Sequence, residues 1–364
     1  MALTIKEGNL LLYYCFDVAY SIRLDQVEKV FGKKPETSKL VYERLTPKHV
    51  QYKTPPLLVR LGRQEIKTRG YTYRANTKAK LYDFGVITIV YEIPIRGEIS
   101  NLTELTRRFA ENEKVAKMAK EHVEKLVKEL QDVLEKPQEK FDFWEDYQII
   151  SVRRFDKRIT TEFLLEEEGK NIAKALRCET ARLSNFELEN ALKYVLSYYE
   201  NDLVAIDWRA AFTYDPRQSY DVIDVLEYAV IQLLELRAYD KILDVALEKA
   251  YADVNSALRL SVAPYGKILH GLTEVKLDVT EVLDRLNDFL KLVGDLYLAK
   301  VYRAAAQRFY LDNLQSALNE KLSNVESIYK LLSERANNRM MMILEITIVA
   351  LFILDIILLF WPLK

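Results

Sequence analysis

The densest chemical pattern in the chain lies between residues 33 and 74. Lys33, Lys34, Lys53, Arg60, Arg63, Lys67, Arg69 and Arg74 are interleaved there with Tyr71 and Tyr73. From Phe31 to Lys80 thirteen Lys and Arg stand against Glu36, Glu43 and Glu65 only, a local charge of +10 in a chain whose net charge is −1. Cations neutralise phosphates, and aromatic faces stack on unpaired bases. The segment is therefore a candidate contact for nucleic acid or a ribonucleoprotein such as the ribosome. The same charge suits anionic lipid headgroups. A third reading is a solvated face that balances acidic helices elsewhere. All three stay open on the residues alone.

The acidic counterpart is Asp202, Asp207, Asp215, Asp221 and Asp224. Clustered carboxylates hold Mg²⁺, so the Asp202–Asp224 region carries the alternative function, a Mg²⁺-dependent hydrolase or nucleotide-linked enzyme. Asp215 has a competing explanation as the cap of a helix with Pro216 at its first position, and Arg209 and Arg217 can pair with the others. No Gly-rich phosphate loop occurs, and Gly32-Lys33-Lys34 lacks its spacing. His49, His122 and His270 have no ligand partners at zinc spacing, and His122 reads as solvated on a charged helix. Cys15 and Cys178 have no catalytic frame and set no disulfide framework, which points to a reducing compartment. No catalytic residue, metal or cofactor is expected, and no secretory signal is read at the N-terminus.

Those groups need elements to carry them, and the last stretch organises the rest. From Ile343 to Trp361, fourteen of nineteen residues are Ile, Leu, Val or Phe, and none is Lys or Arg. At 1.5 Å rise per residue this is about the length that crosses a bilayer's hydrocarbon core. The fourteen contribute about −4 to −8 kcal/mol to insertion, and a central Asp355 costs about 3. A buried helix in a soluble core is the alternative. Lys330, Arg335 and Arg339 precede the span and only Lys364 follows it. The positive flank keeps the N-terminal body cytosolic, as in a single-pass tail anchor of the inner or plasma membrane in a prokaryote. Glu345 and Asp355 are expensive in lipid, so they are candidate contacts between copies of the span in a homo-oligomer.

Strands are expected over Leu10–Ile22, Leu57–Leu61, Tyr71–Tyr73 and Lys80–Ile93 (with Gly85 as a bulge or close approach), within Trp144–Phe155 as YQIISVRRF, and over Leu203–Tyr214 as one strand or a strand pair. Helices are expected over Arg23–Phe31, from Asn101 (capping-box spacing to Glu104, with Ser100 an equal candidate for the cap) to Lys136, over Phe163–Cys178 and Phe186–Tyr199, and from Asp215 to Leu260. Residues 33 to 56, rich in Pro and Lys, read mostly as loop. Two apolar stripes then follow heptad-like steps: Val282, Leu286, Phe289, Val293 and Leu296, and Leu311, Leu314, Leu318, Leu322, Val325, Tyr329, Leu332 and Ala336. They fit either an intramolecular helical hairpin or an intermolecular coiled coil. The second runs into the span without a breaker, which predicts one continuous helix.

Several stretches resemble a known family. VLEYAVIQLLELRAYDKILD (Val225–Asp244), the preceding NDLVAIDWRAAFTYDP, and YDFGVITI are similar to the RMD family (required for meiotic nuclear division, also called YagE-like or sporulation-type). So is the ending LSNVESIYKLLSERANNRMMMILEITIVALFILDIILL. The resemblance covers roughly Lys80 onward. It implies membrane association and, from mitochondrial members, anchoring of ribosomes at a membrane; it implies no catalytic residues. Together these readings predict an α+β protein: a β-rich basic region over 1–98, a mixed α+β core over 99–270, a long coiled-coil-like helical stalk over 271–339 and a transmembrane helix over 340–363. The expected role is a non-enzymatic, oligomeric, membrane-anchored scaffold.

Overall fold

The computed structural model describes residues 2–33, 41–44, 54–68, 70–110, 112–138, 141, 143–217, 220–259, 270–271, 273–281, 284 and 295–360. Contacts divide the chain into two compact units, Met1–Ala238 with Arg285–Asn313, and Tyr239–Asp284 with Leu314–Lys364. The architecture is α+β. Strands and helices follow in the order β1 (Thr4–Asp17), β2 (Ala19–Ile22), α1 (Leu24–Lys33), β3 (Val41–Arg44), β4 (Leu57–Thr68), β5 (Tyr71–Leu81), β6 (Val86–Glu98), α2 (Leu102–Phe109), α3 (Glu113–Leu130), β7 (Leu134–Pro137), β8 (Trp144–Phe155), α4 (Thr161–Arg177), α5 (Asn185–Ala191), β9 (Tyr194–Leu196), β10 (Leu203–Ile206), β11 (Ala210–Tyr214), α6 (Asp221–Arg259), α7 (Leu296–Arg308) and α8 (Leu311–Phe360).

Among the described residues of the first unit, nine strands make one sheet in the order β3-β4-β5-β6-β1-β8-β11-β10-β9. Every pairing is antiparallel except β8 with β11. β1 lies at its centre, and Leu10 to Asp17 are all buried. An unbroken apolar run of this kind marks a strand covered on both faces. Side chains alternate across the sheet. Leu10, Leu12, Tyr14 and Phe16 join the core built with α1 to α4. Leu11, Tyr13 and Cys15 point the other way, to the face where α6 and α7 pack: Lys80 on β5 meets Asp224 and Glu227 on α6, and Tyr147 on β8 meets Phe309 just after α7. Burial on both sides by helices explains why the middle strands carry little polar alternation.

Several elements differ from the sequence expectation. Lys80–Ile93 is two strands joined by a tight turn. Gly85 has φ +94°, and a Cβ there would lie 1.7 Å from the Ala19 carbonyl oxygen, so the backbones approach as closely as only glycine allows. The expected Asn101–Lys136 helix breaks into α2 and α3. Asn101 makes no side-chain cap bond, whereas Asn112 accepts from the Lys114 and Val115 N–H groups and starts α3. The break lets α2 follow α4, where the Thr106 hydroxyl donates to the Ala175 carbonyl at 2.9 Å. Phe186–Tyr199 is helical only to Ala191; its β-forming Tyr194-Val195-Leu196 pairs with β10. Asp215 begins a turn, accepting from the Arg217 N–H at 2.9 Å, and α6 starts at Asp221. From Val225 to Leu236 α6 is buried all round, as befits a helix in the protein interior. Val41–Arg44 is a strand within the segment read as loop.

In the second unit, α6 from Tyr239, residues 273–281 and α8 from Leu314 pack together. Lys276 meets Glu326 at 2.7 Å, and Lys321 meets Asp240 and Asp244 at 2.7 and 2.6 Å. Leu318, Leu322, Val325, Ile328 and Leu332 are buried within the chain itself. Ile328 takes the inward position that the heptad reading gave to Tyr329, which is exposed. Val282, Leu286, Phe289 and Val293 lie outside the described residues. α8 continues to Phe360 as one helix, as the missing breaker predicted.

Candidate functional site

β4 and β5 turn the basic segment into a hairpin. Register sets Arg63 opposite Asn76, Glu65 opposite Arg74 and Lys67 opposite Thr72. Directly paired residues share a face, so Arg63, Lys67 and Arg74 lie together, exposed, on one side. Among the described residues neither Arg63 nor Lys67 has a carboxylate partner; Arg74 sits 3.9 Å from Glu65, both exposed. Arg60 is exposed at the near end of β4, opposite Lys78, which is bound to Glu92 at 2.6 Å. Tyr71 and Tyr73 lie on the opposite face. The Arg108 guanidinium covers Tyr71 at 3.6 Å and donates to the Tyr73 hydroxyl at 2.6 Å, while Tyr73 packs on Phe109. The sheet thus separates the tyrosines from the cations that sequence interleaves. Lys33 ends α1; Lys34, Lys53 and Arg69 lie outside the described residues.

Of the five aspartates, Asp207 and Asp224 are tied to basic side chains, while Asp202, Asp215 and Asp221 line one cavity. Asp207 is held by the Arg308 guanidinium and lies 3.1 Å from Arg177; burial pushes its carboxyl up, against these arginines. Asp224 binds Lys80 at 2.8 Å. Asp202 accepts from the Tyr198 and Tyr199 N–H groups and from Arg217. Among the described residues no group of three His, Cys, Asp or Glu is placed to hold a metal. His122 is half-buried beside Tyr91, not solvated, and burial lowers its pKa. Both cysteines are free and buried, and burial pushes the Cys178 thiol up to about 11, which keeps it unreactive.

The concave site joins Asp202, Asp215 and Asp221 of the acidic region with residues that no sequence motif announced. A cavity of about 590 Å³ lies between the sheet and the starts of α6 and α7, within the usual size of a small-molecule site. Its floor is a row set by register: Asn9 faces Ser151, and Ser151 faces Thr213, with Pro94 beyond one end and Val204 beyond the other. Among the described residues none of these three side chains has a hydrogen-bond partner in the chain, although Thr213 is only 5 % exposed. Tyr220, Val222 and Ile223 approach from α6, and Tyr297 and Leu298 from α7. Asp295 caps α7, accepting from Tyr297 and Leu298 N–H at 2.8 and 3.0 Å. At the rim Arg217 stacks 3.3 Å over Tyr199, and Arg153 binds Glu7 at 2.7 Å. The lining holds six carboxylates and three guanidinium groups. Burial, then Asp202, Asp215 and Asp295, push the Tyr297 hydroxyl pKa up, which registers that negative field.

The remaining sequence candidates, Glu345 and Asp355, lie in α8. From Met340 to Leu358 this helix is exposed throughout, and it is long and apolar enough to cross a membrane. Both acids lie on its surface. Ten residues separate them, so they are about 15 Å apart along the axis and about 80° apart around it.

A family model described as "Uncharacterized protein MJ0711, N-terminal domain" matches residues 7–221, from β1 to the first residue of α6. The uncharacterized protein MJ0711 of Methanocaldococcus jannaschii is 26% identical over 195 residues, covering 53% of this chain and 60% of that protein. No solved structure matches. The cavity floor falls inside the matched region, and α7 and α8 fall outside it. With more than half its length matched, this chain belongs to the family of the MJ0711 N-terminal domain.

Proposed function

We propose that this protein is a non-enzymatic, membrane-anchored scaffold of the RMD type, which assembles with copies of itself and presents an α+β body to a cytosolic partner. The observation that carries this reading is α8: Met340–Leu358 are exposed throughout, and sixteen of these nineteen side chains are apolar. In water that surface favours aggregation; in lipid it favours insertion. The basic flank Lys330, Arg335 and Arg339 places the body on the cytosolic side. The exposed hairpin face with Arg63, Lys67 and Arg74 is the docking surface. With Tyr71 and Tyr73 engaged by Arg108 on the other face, the hairpin offers cations without stacking platforms. That favours phosphate-bearing surfaces, such as anionic lipid headgroups or the backbone of ribosomal RNA, over recognition of bases.

Carbonate extraction of membranes tests the anchor. The full chain stays with the membrane pellet, and Leu351→Arg with Leu354→Arg moves it to the supernatant; extraction of the unaltered folded chain would sink the proposal. For the hairpin, the triple variant Arg63→Glu, Lys67→Glu, Arg74→Glu loses salt-sensitive co-sedimentation with ribosomes, or with phosphatidylserine vesicles in excess of neutral ones. Unchanged binding to both would remove the hairpin from the docking role.

A further inference from the structure

The cavity on the sheet carries an inference independent of the membrane reading, and its failure would leave that reading untouched. Three features constrain what enters. The first is the floor: Asn9, Ser151 and Thr213 bring a side-chain amide and two hydroxyls into line on adjacent strands, with no partners among the described residues of the chain. Thr213 is 5 % exposed and Asn9 and Ser151 are half-buried, so the row turns its polar atoms toward whatever fills the cavity. Two strand spacings make it about 10 Å long, a length that a linear molecule can follow and a single metal ion cannot. The second feature is charge. Carboxylates outnumber guanidinium groups six to three around the cavity; Glu7, Glu92 and Asp202 are paired with Arg153, Lys78 and Arg217, so the negative excess rests on Asp215, Asp221 and Asp295 against Arg96. Phosphates and carboxylates are repelled by such a lining, and cations are drawn in. The third is the ring of Tyr198, Tyr199, Tyr220 and Tyr297, whose faces attract ammonium groups and cover methylene chains.

We propose that this cavity binds an aliphatic di- or polyamine in its protonated form. The ammonium groups would meet Asp295 and the oxygens of the Asn9–Ser151–Thr213 row, with the methylene chain against the tyrosine rings. Arg217, stacked on Tyr199 and bonded to Asp202, already shows that one wall accommodates a cation over an aromatic face between carboxylates.

Titration calorimetry of the detergent-solubilised full chain at fixed ionic strength tests this with spermidine and putrescine, and with Mg²⁺ and AMP as comparisons. Saturable binding of spermidine, absent for AMP, is the expected result. Asp295→Asn keeps a competent helix cap while removing one charge-assisted contact, and weakens spermidine about tenfold. Thr213→Val weakens it about threefold, with the ligand-free thermal midpoint unchanged. If Asp295→Asn does not fold, Ser151→Ala and Thr213→Val carry the test. The proposal is overturned by absence of saturable spermidine binding, by AMP binding as tightly, or by folded floor variants that bind spermidine as the unaltered chain does.

Discussion

The Lys80 ammonium on β5 lies 2.5 Å from a carboxylate oxygen of Glu227 on α6, across 147 residues of sequence. Asp224 accepts from the same ammonium at 2.8 Å, and the Tyr82 hydroxyl donates to the other Glu227 oxygen at 2.8 Å. Burial works to discharge Lys80, but the two carboxylates outweigh it and hold its pKa well above the usual lysine value. A cation counted with the basic segment in sequence is thus an internal tie between sheet and helix.

Removing one member of this pair strands the other in a water-free site. Lys80→Met is expected to destabilise the first unit by about 3–5 kcal/mol, and the double change Lys80→Met with Glu227→Leu to recover most of that loss. Thermal unfolding in detergent measures both; a single variant as stable as the unaltered chain would mean that water reaches the pair.

Asp17 is 4 % exposed, and burial pushes its carboxyl up to about 7. In an unfolded chain its pKa is about 3.9. Between those values the folded state keeps a proton that the unfolded state has released. Stability is therefore full below about pH 4 and falls as pH rises through 7, by on the order of 4 kcal/mol from this group. Asp17→Asn should flatten that decline. Unfolding midpoints measured from pH 5 to 8 would reject the assignment if the variant kept the same slope.

Gly85 and Gly62 both have positive φ, but only Gly85 is pressed against another backbone. Gly85→Ala meets the Ala19 carbonyl and must displace β2, whereas Gly62→Ala at φ +87° meets nothing within 4 Å. The expected cost at Gly62 is about 1 kcal/mol of backbone strain, and at Gly85 at least about 3 kcal/mol. Equal losses in a denaturant series would contradict the close approach.

Asp355 is exposed on α8 beside apolar neighbours. If α8 spans a bilayer, an unshared acid there is costly, and a partner span relieves it. Asp355→Leu should reduce the mass of the detergent-extracted particle in light scattering while leaving it membrane-bound. A particle of unchanged mass would show that Asp355 is not a required contact between copies.

What the sequence determined by itself is what short-range pattern can encode. The apolar run from Ile343 needs no partner to be recognised as span-like, because its character depends on composition and length alone. β8 and α4 form within about three residues of their expected bounds, and Leu203–Tyr214 takes the strand-pair alternative. Failures came where tertiary packing overrode local preference: α2 breaks from α3 to lie along α4, and Tyr194–Leu196 leaves a helical pattern to pair with β10. The candidate site was less legible still. Strand alternation put Tyr71 and Tyr73 on the opposite face from Arg63, Lys67 and Arg74, a separation that depends on register and not on spacing in the basic run. Asn9, Ser151 and Thr213 are ordinary polar residues 142 and 62 positions apart. Only the pairing of β1 with β8 and of β8 with β11 makes them neighbours, and only the packing of α6 and α7 over the sheet makes a cavity above them. Hydrogen-bond register and burial are properties of the assembled sheet, so the chain's order of residues holds the cavity's parts but not their meeting.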